Sequence, residues 1–116
     1  MTGRRPRTRR EAGPAVPRDH APGVQVVCGC RPGRPPLRIA DWLPAEDGRW
    51  IFNDTRGEHG HTRPAATCNE HGRWDLVCPN CGVHVQRGDA EVAATLTRAE
   101  THRRLVLDLR AWASKL

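Results

Sequence analysis

The segment Cys78-Pro79-Asn80-Cys81-Gly82 constrains this chain more than any other stretch of its sequence. Two cysteines separated by two residues bring their sulfurs to one side of a tight turn, and a glycine after the second permits the left-handed backbone that aims amide N–H groups at those sulfurs. The competing use of a C-P-x-C sequence is a redox dithiol, which needs a helix to open at the motif so that its N-terminus lowers the thiol pKa. Here Gly82 is followed by Val83-His84-Val85-Gln86, an alternation of apolar and polar residues that reads as a strand. The motif is therefore read as a metal knuckle.

A structural zinc site takes four ligands, so a second pair is required. The sequence offers Cys28-Gly29-Cys30 and Cys68-Asn69-Glu70-His71. If Trp74 to Val77 is extended, the chain from His71 to Cys78 covers up to roughly 23 Å at about 3.3 Å per residue, which holds His71 away unless the chain doubles back at Gly72. The other pair has a positive argument, because Val24-Gln25-Val26-Val27-Cys28 and Trp74-Asp75-Leu76-Val77-Cys78 share one pattern of apolar, polar, apolar, Val, Cys. The expected zinc ligands are Cys28, Cys30, Cys78 and Cys81. A site using Cys68 or His71 is the alternative, and Cys68 is otherwise an unliganded thiol. An odd count of five cysteines, with no apolar stretch behind the Arg-rich start to form a secretory signal, favours metal binding in a reducing compartment over a disulfide framework. A cytoplasmic location is expected.

A cross-link is also needed on energetic grounds. The 116 residues fit one domain with four Trp, one Phe and no Tyr, and burial alone leaves so small a core marginal. Charge is unevenly placed: residues 1 to 38 hold nine Arg against Glu11 and Asp19, a net +7, whereas residues 39 to 116 hold nine Arg and Lys115 against eleven acids, a net −1. Attraction to a polyanion must then come mainly from the N-terminal segment, where Arg4, Arg5, Arg7, Arg9 and Arg10 are the candidate nucleic-acid contacts. No run approaches the eighteen or so apolar residues of a membrane span, so no membrane association is expected.

Residues 1–22 combine Arg, Pro and Gly with almost nothing to bury and read as a disordered basic tail, leaving residues 23–116 as the folded domain. Strands are expected at Val24 to Val27, Leu37 to Trp42, Trp50 to Phe52, Trp74 to Val77 and Val83 to Gln86, with Asp47-Gly48 as a hairpin turn. Thr55 to Thr67 reads as a long loop, in which Glu58-His59-Gly60-His61 is a solvated His pair. Asp89 is placed as the N-cap of an amphipathic helical stretch with apolar residues from Val92 to Leu116 near 3.6-residue spacing, read as one piece or as two divided at an internal capping box of Thr97 and Glu100. The four Trp are read mainly as core, and His84 and His102 as surface or packing residues. Together these elements define an α+β class.

With C-P-N-C-G inside WDLVCPNCGVHV, the arrangement resembles a zinc ribbon, in which two knuckles on short hairpins grip one metal. The resemblance covers residues 24–31 and 72–87, and departs from the usual pattern where C-x-C stands at Cys28-Gly29-Cys30. It implies small β hairpins around a structural zinc, and a role as a nucleic-acid binder, an adaptor on a protein partner or a staple. Fold alone does not choose among these. No nucleophile with its base, Walker loop or dinucleotide fingerprint is present, so a non-enzymatic module is expected, binding nucleic acid or a nucleoprotein partner through its tail. A protein-protein adaptor is the alternative.

Overall fold

The computed structural model describes residues 14–53 and 65–114. Along the chain lie β1 (Val24–Cys28), β2 (Leu37–Pro44), β3 (Trp50–Phe52), β4 (Ala66–Cys68), β5 (Arg73–Val77), β6 (His84–Gly88), α1 (Asp89–Thr101), β7 (Val106–Asp108) and α2 (Leu109–Ala113). The strands form two sheets, one in the order β3-β2-β1-β7 and one in the order β4-β5-β6. All neighbours are antiparallel except β7, which pairs parallel to β1. Strands with C-terminal helices make the fold α+β, as expected.

Period-two alternation decides what each strand buries. In β1, Val24, Val26 and Cys28 are buried while Gln25 and Val27 are half-buried; in and just after β5, Trp74, Leu76 and Cys78 share the buried face. The sheets meet through aromatic rings. Trp42 of β2, Phe52 of β3 and Trp74 of β5 form a triangle with centroid separations of 5.1–5.5 Å and tilted or edge-on planes, the arrangement that ring quadrupoles favour. Val92, Leu96 and Ala99 of α1 and Leu109 of α2 complete the same core. Burying side chains such as Leu76, Leu96 and Leu109 contributes about 1.5–3 kcal/mol each.

Polar links orient the helix. Asp89 is the first helical residue rather than the expected cap, which is Gly88 without a side-chain bond. The Asp89 carboxylate instead accepts from the Trp74 indole N–H at 3.0 Å, tying α1 to β5. Thr97 lies inside α1, not at a capping box, and its hydroxyl accepts from the Trp50 indole N–H at 3.1 Å.

Of the two readings of the C-terminal helical stretch, one piece or two, the structure has two pieces, and the break follows Thr101 instead of falling at Thr97. After Thr101 the chain closes a Schellman motif: Arg103 N–H bonds to Glu100 O at 3.0 Å and Arg104 N–H to Ala99 O at 2.8 Å, with Arg103 left-handed at φ 57°. Glycine usually occupies that position, so the stop left no signal in the sequence. The chain then extends as β7, because the free edge of β1 accepts Val106 to Asp108 as a parallel neighbour. It re-enters a helix at α2, whose N-cap is Asp108, with its side chain accepting from Arg110 N–H.

β4 is a second difference, since Ala66 and Thr67 fall in the segment read as loop but pair with Leu76 and Asp75. Residues 55–64 of that loop, with His59 and His61, lie outside the described residues. So do residues 1–13 of the segment read as a tail. Within its last part, Pro17 bridges Ala45, Arg18 N–H bonds to Pro44 O at 2.8 Å and Glu46 N–H to Val16 O at 2.9 Å. The Asp47-Gly48 turn is formed as expected, with Gly48 at φ 89° and Asp47 paired to Arg49.

A left-handed conformation costs an L residue roughly 1–2 kcal/mol, partly offset in a glycine variant by greater unfolded-state entropy. Arg103→Gly is therefore expected to stabilise the fold by about 0.5–1 kcal/mol. The readout is a higher denaturation midpoint at unchanged slope; a lower midpoint would contradict the C-terminal geometry described for α1.

Candidate metal centre

The two strands that lead into cysteine pairs run to a common point. Because Cys28 continues the buried face of Val24 and Val26, and Cys78 that of Trp74 and Leu76, each first cysteine of a pair is delivered at the end of a core-facing row. The second cysteines follow from the turns. Cys78 N–H bonds to Val83 O and Gly82 N–H to Cys78 O, both at 2.9 Å, and Gly82 sits at φ 80°, the left-handed conformation anticipated for the knuckle. On the other side, Gly29 carries the chain from Cys28 to Cys30, after which Arg31 folds back to donate to Pro35 O at 2.7 Å.

The four sulfurs of Cys28, Cys30, Cys78 and Cys81 all lie within 4.8 Å of one another. Cys28 Sγ is 3.6 Å from Cys81 Sγ, and Cys30 Sγ is 3.7 Å from Cys78 Sγ. A tetrahedral thiolate centre with metal–sulfur bonds of about 2.3 Å has sulfur–sulfur edges of about 3.8 Å, so these separations fit a shared metal ion. They are far from the roughly 2 Å of a disulfide, and all five cysteines are free thiols. Each pair contributes one buried sulfur residue, Cys28 and Cys78, and one nearer the surface, Cys30 and Cys81. The site therefore closes the end of the core and joins one sheet to the other.

The surroundings set the protonation of the thiols. Burial pushes Cys28 well above the usual thiol range, reinforced by its sulfur neighbours. Burial also raises Cys78, opposed by the backbone N–H groups of Cys81 and Asn80 that favour its thiolate. Cys30 is drawn down to about 7, chiefly because the Asn80 side-chain amide donates to its sulfur at 3.1 Å. Buried thiols crowded together are costly to ionise without a cation among them, and a metal ion resolves that by taking the charge of all four.

No family model, curated protein or solved structure matches this chain. The chemistry of the site therefore rests on its geometry.

The structure brings together the four cysteines singled out from the sequence and leaves the competing pair elsewhere. Cys68 and His71 flank the turn that precedes β5, at the opposite end of that strand from Cys78. Asn69 closes this turn, its side-chain oxygen accepting from His71 N–H at 2.9 Å and Arg73 N–H at 3.0 Å. Gly72, at φ 74°, leads into the strand, so the chain does not double back toward the knuckle. The Cys68 thiol is raised by partial burial and then by the Asp89 carboxylate, which keeps it protonated. His84 is exposed and pairs with Asp75 across the β5–β6 ladder, and His102 is exposed at the end of α1. Arg4, Arg5, Arg7, Arg9 and Arg10 lie outside the described residues. Asn80 is the contributor that sequence reasoning missed; its place between the knuckle cysteines marked it only as a turn residue.

The Cys28→Ser, Cys30→Ser double variant is expected to lose bound metal, whereas Cys68→Ser and His71→Ala retain it, as read by elemental analysis of purified protein. Removing the amide that supports Cys30, by Asn80→Ala, should weaken metal affinity roughly 10–100-fold in competition with a chelator, the usual effect of losing a ligand's hydrogen-bond partner. Stoichiometric metal in the double variant would refute the assignment.

Proposed function

We propose that this chain is a non-enzymatic binding module of zinc-ribbon type, acting in the cytoplasm. One zinc ion on Cys28, Cys30, Cys78 and Cys81 staples its two sheets, and its basic N-terminal segment engages nucleic acid or a nucleoprotein partner. The observation that carries the reading is the clustering of four sulfurs from one chain, all within 4.8 Å of one another. Zinc has no ligand-field preference of its own and accepts the angles that the strands impose. Bound there, it would supply cohesion between the sheets, since protein sulfur fills all four positions and leaves none for water or substrate. Among the described residues no helix is long and apolar enough to cross a membrane.

The charge distribution supports the partner class. A zinc ion with four thiolates carries about two negative charges, so the site itself repels phosphate, and the N-terminal arginines offset it. A segment of Arg and Pro makes backbone contacts more readily than base contacts, which gives affinity with little sequence preference.

Protein purified without added metal should contain about one zinc per chain, and chelation should unfold it, because a structural zinc contributes on the order of 10 kcal/mol to a small domain. Iron in place of zinc, or a metal-free chain that stays folded, would overturn the assignment. For the partner, deletion of residues 1–13 should remove most affinity for random oligonucleotides. Binding by the full chain should weaken with salt at a slope of about 0.7 per phosphate on single strands and about 0.9 on duplex. Absence of binding at low salt would favour a protein-protein adaptor.

A further inference from the structure

Away from the metal centre, an open groove of roughly 780 Å³ runs between α1, the β5–β6 ladder and the β7–α2 segment. Its lining gathers Arg73, Arg87, Arg98 and Arg104, four of the nine arginines after residue 38, although that whole region is close to neutral. These come from separate parts of the chain: β5, β6, α1 and the Schellman turn that ends α1. Two acids share the groove. Asp108 is committed to capping α2 through Arg110 N–H, and Glu91 is exposed in the first turn of α1. The lining therefore carries a net +2. Among the described residues, Arg73, Arg98 and Arg104 make no side-chain ion pair, and all three are exposed; Arg87 donates to Gln86 O.

The floor is apolar. Leu107 and the half-buried indole of Trp112 line it, beside the small side chains of Ala94 and Ala111 that keep it open. Trp50 and Trp74 spend their indole N–H groups on Thr97 and Asp89, whereas that of Trp112 has no hydrogen-bond partner among the described residues. A smaller recess of about 290 Å³ shares Thr95, Arg98, Arg104 and Leu107 with the groove and extends it to His102.

We propose that this groove binds single-stranded nucleic acid, with a base against Trp112 and the flanking phosphates on Arg98, Arg104 and Arg73. Unpaired guanidinium groups around an aromatic floor are the combination that holds a single strand: the arginines neutralise the backbone and the ring accepts any base. A duplex keeps its bases stacked inside and is too thick to enter a groove of this size, so it reaches the rim alone. An acidic peptide would satisfy the arginines but leave the aromatic floor without a planar partner. The inference rests on the nucleic-acid reading of the partner, and moves part of the recognition from the N-terminal arginines to the folded body.

The test is fluorescence anisotropy of labelled oligothymidylate and oligouridylate with the metal-loaded full chain, at low salt and across a salt series. Four variants are compared: Arg98→Glu with Arg104→Glu, Trp112→Ala, Arg34→Glu as a charge-reversal control outside the groove, and a form with the five N-terminal arginines changed to Ala. The double reversal should lower affinity at least about tenfold and reduce the salt slope by about 0.7 for each phosphate that is no longer neutralised, while Arg34→Glu changes affinity less than about twofold. Trp112→Ala should cost roughly 5–150-fold, the range for stacking one base on one aromatic ring. Because Trp112 also packs on the core, retained zinc and circular dichroism are checked, and quenching of Trp fluorescence in the unsubstituted chain reports the same stacking. Equal losses in the double reversal and in Arg34→Glu would overturn the groove, as would, in the form without the five N-terminal arginines, competition by oligoglutamate or by duplex as effective as by oligothymidylate. Loss confined to the N-terminal variant would overturn the groove and leave the nucleic-acid reading standing. No binding of either oligonucleotide by the full chain would remove both.

Discussion

Everything in this fold depends on two strands from different sheets ending at the same place. β1 and β5 each bury alternate residues, and in each the buried row finishes on a cysteine, Cys28 or Cys78. The core and the metal centre are therefore one continuous structure: the rows that bring Val24, Val26, Trp74 and Leu76 together also bring the sulfurs together. A core this small gains little by burial beyond the entropy it loses on ordering, and a metal ion held at its open end would add cohesion that more apolar residues would otherwise have to supply.

The remaining architecture follows from how the helix is attached. Trp74 packs in the aromatic triangle between the sheets and hands its indole N–H to Asp89 at the start of α1, while Trp50 does the same to Thr97 farther along. Each of these tryptophans fills space and satisfies a polar group in one move, as buried indoles must. The Schellman turn then reverses the chain so that β7 can cover the edge of β1, and α2 returns Leu109 to the core. This reversal creates the groove beside α1, because β7 and α2 return to form part of its wall where a continuous helix would have projected away.

Charge is sorted in the same way. With a divalent metal on four thiolates the cysteine cluster would be an anionic end of the molecule, whereas the arginines of α1, its following linker and the β5–β6 ladder collect around a separate, partly aromatic surface. Sequence counting averages these to near neutrality over residues 39–116. Function at a protein surface responds to the local field, which the average conceals.

What the sequence by itself determined is local: the knuckle at Cys78 to Gly82, the strand that precedes each cysteine pair, the Asp47-Gly48 turn and the helix beginning near Asp89. Each follows from side-chain period or turn chemistry within a few residues. The choice of Cys28 and Cys30 over Cys68 and His71 was also legible, because an extended β5 cannot return His71 to Cys78. Only the tertiary structure decided where the C-terminal helix stops, since Arg103 takes a left-handed position that sequence associates with glycine and β7 forms only because β1 has an edge to pair with. It likewise decided β4, which exists by pairing with β5, and the meeting of Arg73, Arg87, Arg98 and Arg104, which are brought to one groove by folding. Periodicity records which face of an element is apolar, but it carries no information about which distant backbone edge or side chain that element will meet.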